Sequence, residues 1–178
     1  MLAAYPDFIR AYFITLCYQG FRRTEGLRIT LQGLNFEMDN IQLAVKGNKV
    51  ITVPMHSRVK EALQAHIEMR KEAIQQNNSQ QIFLTKDIYN KKGEIIRPGR
   101  PYTDPKSLYR LHVRACKKAG IEDFTVHDWR HHFASHLMES GADLKSLMKL
   151  GGWQSESMVF RYADVSNSHI RNTMEKRK

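Results

Sequence analysis

Between residues 34 and 54 the hydrophobic pattern of this chain switches from the period of a helix to that of a strand, and the switch limits the folds open to it. The segments "LNFEM", "IQLAV" and "VITVP" are short and rich in β-formers. They are separated by the turn pairs Asp39-Asn40 and Gly47-Asn48, so they read as a three-stranded antiparallel meander. The chain on either side reads as helix. Apolar residues Phe8, Ile9, Tyr12, Phe13 and Leu16 recur at helical spacing over 6–19, with Pro6 suited to the first turn and Gly20 to the stop. A second helix is expected over 24–32, capped by Thr24 and ended by Gly33. A third is expected over 57–76, with Val59, Leu63, Ile67 and Ile74 on one stripe. Asp104-Pro105 starts a helix that Gly120 closes, and shorter helices follow over 127–140, 143–150 and 156–162. Helices around one small sheet make a mainly helical α+β domain, not an alternating α/β one.

The stretch 77–102 is polar and holds Gly93, Pro98 and Gly99 around a small "IFL" strand candidate, so it reads as the longest irregular region and a mobile loop. At 178 residues with 42% apolar content the chain is sized for one domain with a full core. Lysine and arginine outnumber aspartate and glutamate by 28 to 18, a net charge of +10, which makes a polyanion the natural partner: nucleic acid first, an acidic membrane surface second. No apolar run approaches the roughly 20 residues that span a bilayer, and Asp7 and Arg10 interrupt any signal-peptide core. A soluble, cytoplasmic protein is expected. Cys17 and Cys116 lie far apart without metal-site spacing, which suggests reduced core residues.

The stretch "TVHDWRHHFASHL" gathers four histidines and an arginine. In a helix starting near His127, residues His127, Arg130 and His131 share a face at the N-terminal turn, where free N–H groups and the dipole attract anions. His132 and His136 form an i, i+4 pair, but Phe133 stands where a zinc helix of the H-E-x-x-H type has its glutamate, and no metal is expected. Half-buried or surface histidines are the plain alternative, and H-x-x-R by itself is too common to assign a function. Three other places add to it: Arg22 in "GFRRTEGLRI", Lys46 in the turn "VKGNK", and "KLGGWQSESMVFRYADVS", where Trp153 and Tyr162 stand nine positions apart.

Taken together these boxes resemble the tyrosine recombinases, the lambda-integrase family of DNA strand transferases. That family shows a "GLR-x-S-E" box, a lysine in the following β-hairpin, an "H-x-L-R-H-T-F-A-T" box, and "L-G-H" followed nine residues later by a tyrosine. The order is the same here over about residues 5–168, with Trp129 in place of leucine, His132 in place of threonine or serine, and Trp153 in place of the commoner histidine.

The resemblance implies a role for each residue. Tyr162 attacks the scissile phosphate to give a 3′-phosphotyrosyl link. Arg22 and Arg130 clamp the non-bridging oxygens with planar guanidinium forks, and His127 accepts the phenolic proton. Lys46 protonates the departing 5′-oxygen, Trp153 donates its indole N–H, and His131 buttresses the site. Because the link conserves the broken bond's energy, the resemblance implies neither ATP nor a metal. Lys49 is a further DNA-backbone candidate; Arg97 and Arg100 in "RPGRPY" either contact the backbone or are solvated. Glu25 is expected to partner Arg22 structurally, Arg23 to be solvated, and Tyr12, Tyr18 and Tyr109 to pack.

The implied partners are duplex DNA and, at full length, three further copies of the chain in a tetramer on paired sites. The C-terminal segment would dock on a neighbouring subunit, and the isolated domain would be monomeric. Family members carry an N-terminal DNA-clamping domain, and this chain begins at the catalytic one, so a fragment is expected. Alternatives are a type IB topoisomerase, with the same site logic but no partner exchange, and a DNA-binding module without catalysis.

Overall fold

The computed structural model describes residues 1–45, 49–77, 80–102, 104–153 and 155–160. Its central element is α1, Asp7–Gln19, preceded by Pro6 and ended by Gly20 in the left-handed region at φ 64°. Ile9, Tyr12, Phe13 and Leu16 recur at helical spacing on it and are buried. α2 (Arg23–Leu27) follows directly, and the sheet comprises β1 (Leu34–Asn35), β2 (Asn40–Val45) and β3 (Lys49–Pro54) in the order β1-β2-β3. It is antiparallel throughout, pairing Leu34 with Ile41 and Leu43 with Ile51. Ile41, Leu43 and Val53 face the core while Val50 is exposed, the alternation of a sheet wet on one side.

The second helix differs from its expected span of 24–32. Arg22, not Thr24, is its N-cap, because the Glu25 carboxylate accepts both the Arg22 amide and its guanidinium, each at 2.8 Å. It stops early because Ile29 and Thr30 turn to pair with the distant segment 81–82.

The third helix also divides, into α3 (Ser57–Met69) and α4 (Lys71–Gln75). At the break Arg70 is fully buried and pairs with Asp87 at 2.9 Å, also donating to the Thr85 carbonyl at 2.8 Å. That ion pair anchors a hairpin, β4 (Ile88–Tyr89) with β5 (Ile95–Arg97), in the stretch read as irregular from sequence. The "IFL" triplet, Ile82 to Leu84, is fully buried.

Asp104 caps a 3-10 turn over Pro105–Leu108 that continues as α5 (Tyr109–Ala119), closed by Gly120 at φ 66°. Then come α6 (Asp128–Glu139), α7 (Leu144–Gly151) and α8 (Glu156–Phe160). α1 packs against α3 and α6 in the main core. A second, smaller cluster joins Phe133 and Ala134 of α6 to Leu147 of α7, Trp153 and Val159. Cys17 and Cys116 are buried free thiols. Among the described residues no helix is long and apolar enough to cross a membrane.

Candidate active site

The site is built where three helix ends meet: the end of α1, the start of α6 and the end of α7. His127 is the N-cap of α6, and its carbonyl accepts the Arg130 amide at 2.9 Å. One turn in, Arg130 is only 3% exposed, and its Nη1 donates to the Gly20 carbonyl at 2.6 Å. The guanidinium carbon lies 4.0 Å from the ring centroid of Trp153, so the cation is stacked on the indole face. A guanidinium buried in this way keeps its charge and has its plane fixed by packing, as a preorganised oxyanion clamp requires.

Glycines make that stack possible. A Cβ on Gly151 would overlap the Trp153 ring, and one on Gly20 would overlap the Phe133 ring. Gly20 also holds a positive φ that L side chains rarely adopt. Gly20→Ala is therefore expected to destabilise the fold by about 1–3 kcal/mol through overpacking and strain. The midpoint of urea unfolding checks this; an unchanged midpoint would show that Phe133 yields freely.

Arg22 bridges two hollows. One, of about 780 Å³, is lined by Arg22, Glu25, Arg28, Lys149, Gly151 and Trp153. The other, of about 560 Å³, is lined by Arg22, Arg23, Tyr109, Thr125 and His127. Arg22 belongs to both, so the two adjoin at its side chain as a divided cleft, with Trp153 lining one part and His127 the other. The Arg22 side chain is 44% exposed, held by Glu25 as expected.

Burial, His131 and Arg130 depress the His127 pKa below its usual 6.5, against the opposing pull of Asp128. A neutral imidazole with a free lone pair at neutral pH is the form that accepts a proton. The His131 ring stands edge-on to it, with centroids 5.0 Å apart. His132 and His136 also face each other, but no group of three metal-ligating side chains occurs among the described residues.

Arg22, His127, Arg130 and Trp153 are thus brought together, with His131 next to His127. Lys46, Tyr162 and the C-terminal segment lie outside the described residues, as does the side chain of Lys49, which pairs with Val45 at the end of the β2–β3 ladder. Arg97 and Arg100 are exposed on the β4–β5 hairpin and just after it, away from the cleft lining.

One expectation is overturned: Tyr109 does not pack in the core but is 61% exposed and lines the cleft beside His127. With it, Arg110, Val113, Arg114, Lys117 and Lys118 form an exposed, strongly basic face of α5. That face, like Arg28 and Lys149, escaped the sequence reading. The signal was there, since the basic residues recur at i, i+4 and i+8 opposite buried His112, Ala115 and Cys116. Arg23 is exposed as expected, Tyr12 is buried, and Tyr18 is half-buried under the Arg58 guanidinium.

A buried, stacked arginine beside a cationic cleft, with a histidine at a helix start, is an arrangement suited to an anionic group. The chain belongs to the phage integrase family, whose model matches residues 5–169. It is 31% identical over 154 residues to tyrosine recombinase XerD of Staphylococcus epidermidis, covering 85% of this chain and 48% of that protein. Its fold is similar to the crystal structure of XerA recombinase, with a TM-score of 0.75, 20% identity, and coverage of 97% of this chain and 59% of that one. It is also similar to XerH site-specific recombinase bound to palindromic difH substrate, with a TM-score of 0.68, 19% identity, and coverage of 95% and 46%. The chain spans about half the length of the curated relatives it matches.

Proposed function

We propose that this chain carries the strand-cleaving centre of a site-specific DNA recombinase. The observation that supports this best is the cleft itself, with Arg130 fixed against Trp153 and the Gly20 carbonyl while Arg22 and His127 share its lining. The relatives named as recombinases and the net charge of +10 support duplex DNA as the substrate.

In the proposed step the Tyr162 oxygen attacks phosphorus as the bond to the 5′-oxygen breaks. The phenolic proton passes to His127, and Lys46 protonates the leaving oxygen, which departs as a hydroxyl. Arg22, Arg130 and the Trp153 indole N–H neutralise the non-bridging oxygens in the crowded transition state. Reversal with a different 5′-hydroxyl rejoins the strand, so the bond energy is conserved and neither ATP nor a metal ion enters the balance. The exposed basic face of α5, with Lys49, Arg97, Arg100 and His131, contributes the contacts that hold the duplex. Exchange takes four protomers on two sites, with residues 163–178 of each docked on a neighbour through Ile170 and Met174; by itself the chain is monomeric.

Strand cleavage with a departing 5′-oxygen is testable through the leaving group. Lys46→Ala is expected to slow cleavage of ordinary duplex far more than cleavage of duplex with sulfur at the 5′ bridging position, because a thiolate leaves without a proton. Equal slowing of both would remove Lys46 from the acid role, and cleavage that leaves a 5′-phosphate would remove the mechanism.

A further inference from the structure

Next to the cleft, buried polar side chains from three parts of the chain form one directed line of hydrogen bonds. The Trp129 indole Nε1–H donates to the Tyr5 hydroxyl oxygen at 3.2 Å, that oxygen lies 2.7 Å from His112 Nδ1, and His112 Nε2 lies 2.7 Å from the Phe124 carbonyl. Tyr5, His112 and Trp129 are all buried. An indole N–H can only donate and a carbonyl can only accept, so the protons have one arrangement that satisfies every group. Tyr5 accepts from Trp129 and gives its own proton to Nδ1, and His112 is the neutral tautomer carrying its proton on Nε2.

Burial holds the His112 imidazole below its usual pKa, against the bond to Phe124 and the charge of Asp128. Among the described residues His132, edge-on to Trp129 at 6.0 Å, and the buried Tyr12 phenol also lie near this line, as do Cys116, with Sγ 3.4 Å from Nε2, and Cys17, near the Tyr5 phenol. Both cysteines are uncharged thiols, their pKa values raised by burial.

What the line connects gives it a role. Phe124 and Trp129 flank the turn that carries His127, and Arg130 follows Trp129 directly. The turn is closed locally by the Thr125 amide donating to Asp128 at 2.6 Å and by the Phe124 ring edge-on to Trp129 at 5.0 Å. Tyr5 in turn stacks on Phe13 of α1, with centroids 3.6 Å apart. α1 ends at Gly20, whose carbonyl holds Arg130. The His127 to Arg130 turn is therefore fastened to α1 twice, at Gly20 and, through Tyr5 and His112, on its far side.

We propose that Tyr5 and His112 are positioning residues for the cleft: their hydrogen-bonded line holds the Phe124–Trp129 turn in the place that sets His127 and Arg130 against Arg22 and Trp153. The catalytic consequence rests on the reading of His127 and Arg130 given above. The geometric part does not.

The test uses the intact chain labelled with ¹⁵N. In the wild type the His112 ring is expected to show the Nε2–H tautomer at neutral pH; the Nδ1–H tautomer or the imidazolium would overturn the proposal. Tyr5→Phe and His112→Phe each break two of the line's three hydrogen bonds while keeping an aromatic ring in place. Each is expected to stay folded and to move the His127 titration midpoint towards that of an exposed imidazole, about 6.5. His112→Gln keeps one acceptor and one donor and is expected to preserve the wild-type midpoint. An unmoved midpoint in both phenylalanine variants would overturn the proposal. So would loss of the fold in both, since the line would then hold the whole domain and not the turn.

A second arm measures covalent adduct formation on nicked duplex. Tyr5→Phe is expected to react at least about tenfold more slowly than wild type with duplex affinity little changed, because small misplacements of reacting groups lower rates steeply. An unchanged rate beside a moved His127 midpoint would overturn the catalytic part. No adduct from the wild type would instead count against the recombinase reading and leave the geometric part to the titration.

Discussion

Arg130→Ala is expected to slow strand cleavage by about 100- to 1,000-fold, the range for losing a preorganised donor to a developing oxyanion. The reason lies in how the guanidinium is held. It is 3% exposed, stacked at 4.0 Å on Trp153 and bonded to the Gly20 carbonyl, so its orientation is set before any phosphate arrives. Arg130→Lys should be nearly as slow, since an ammonium keeps the charge but neither stacks as a plane nor presents a fork. Removing the side chain also takes a donor from the Gly20 carbonyl, which costs about 1–3 kcal/mol of stability. Binding of duplex should change far less than the rate, because the exposed cations outside this pocket remain. Cleavage within about threefold of wild type in the lysine variant would contradict the clamp, since a general positive charge would then suffice. The comparison is of single-turnover rates on nicked duplex, with folding checked by circular dichroism.

The parts of this site legible in the sequence were those set by local rules. Gly20 as a helix stop, His127 at a helix start, and the three-residue step from His127 to Arg130 follow from capping and helical period, and they place these groups at the ends of elements. The meander follows from alternation and turn pairs, and its strands pair in the expected order.

What stayed hidden depends on contacts between distant residues. Nothing local in "HDWRHH" says that Arg130 is buried; Gly20 and Trp153, from different elements, decide it. The shorter α2 follows from the pairing of Thr30 with Gln81, and the break at Arg70 from Asp87, 17 positions on. The β4–β5 hairpin pairs only Ile88–Tyr89 with Ile95–Arg97 around the polar segment 90–94, too few residues to stand out from a polar loop. Trp129, a departure from the family's leucine, has a role visible only in three dimensions, where it packs on Phe124 and donates to Tyr5. Tyr109 was misjudged because tyrosine at helical spacing usually packs inward, whereas here His112 and Cys116 occupy the inner face.

The central claim is that Tyr162 becomes joined to DNA. The most direct measurement incubates the intact chain with a library of nicked duplexes randomised around the nick, so that the target need not be known. Covalent protein–DNA species are then recovered under denaturing conditions, and the attached residue is located by peptide mass spectrometry. A nick just beyond the cleaved phosphate lets the short 5′-hydroxyl fragment diffuse away, which traps the phosphotyrosyl link. The account predicts an adduct on the peptide containing Tyr162, a free 5′-hydroxyl on the released strand, and no adduct from Tyr162→Phe, which should still fold and bind duplex. An adduct that persists in Tyr162→Phe, or one mapped to any other side chain, would contradict it.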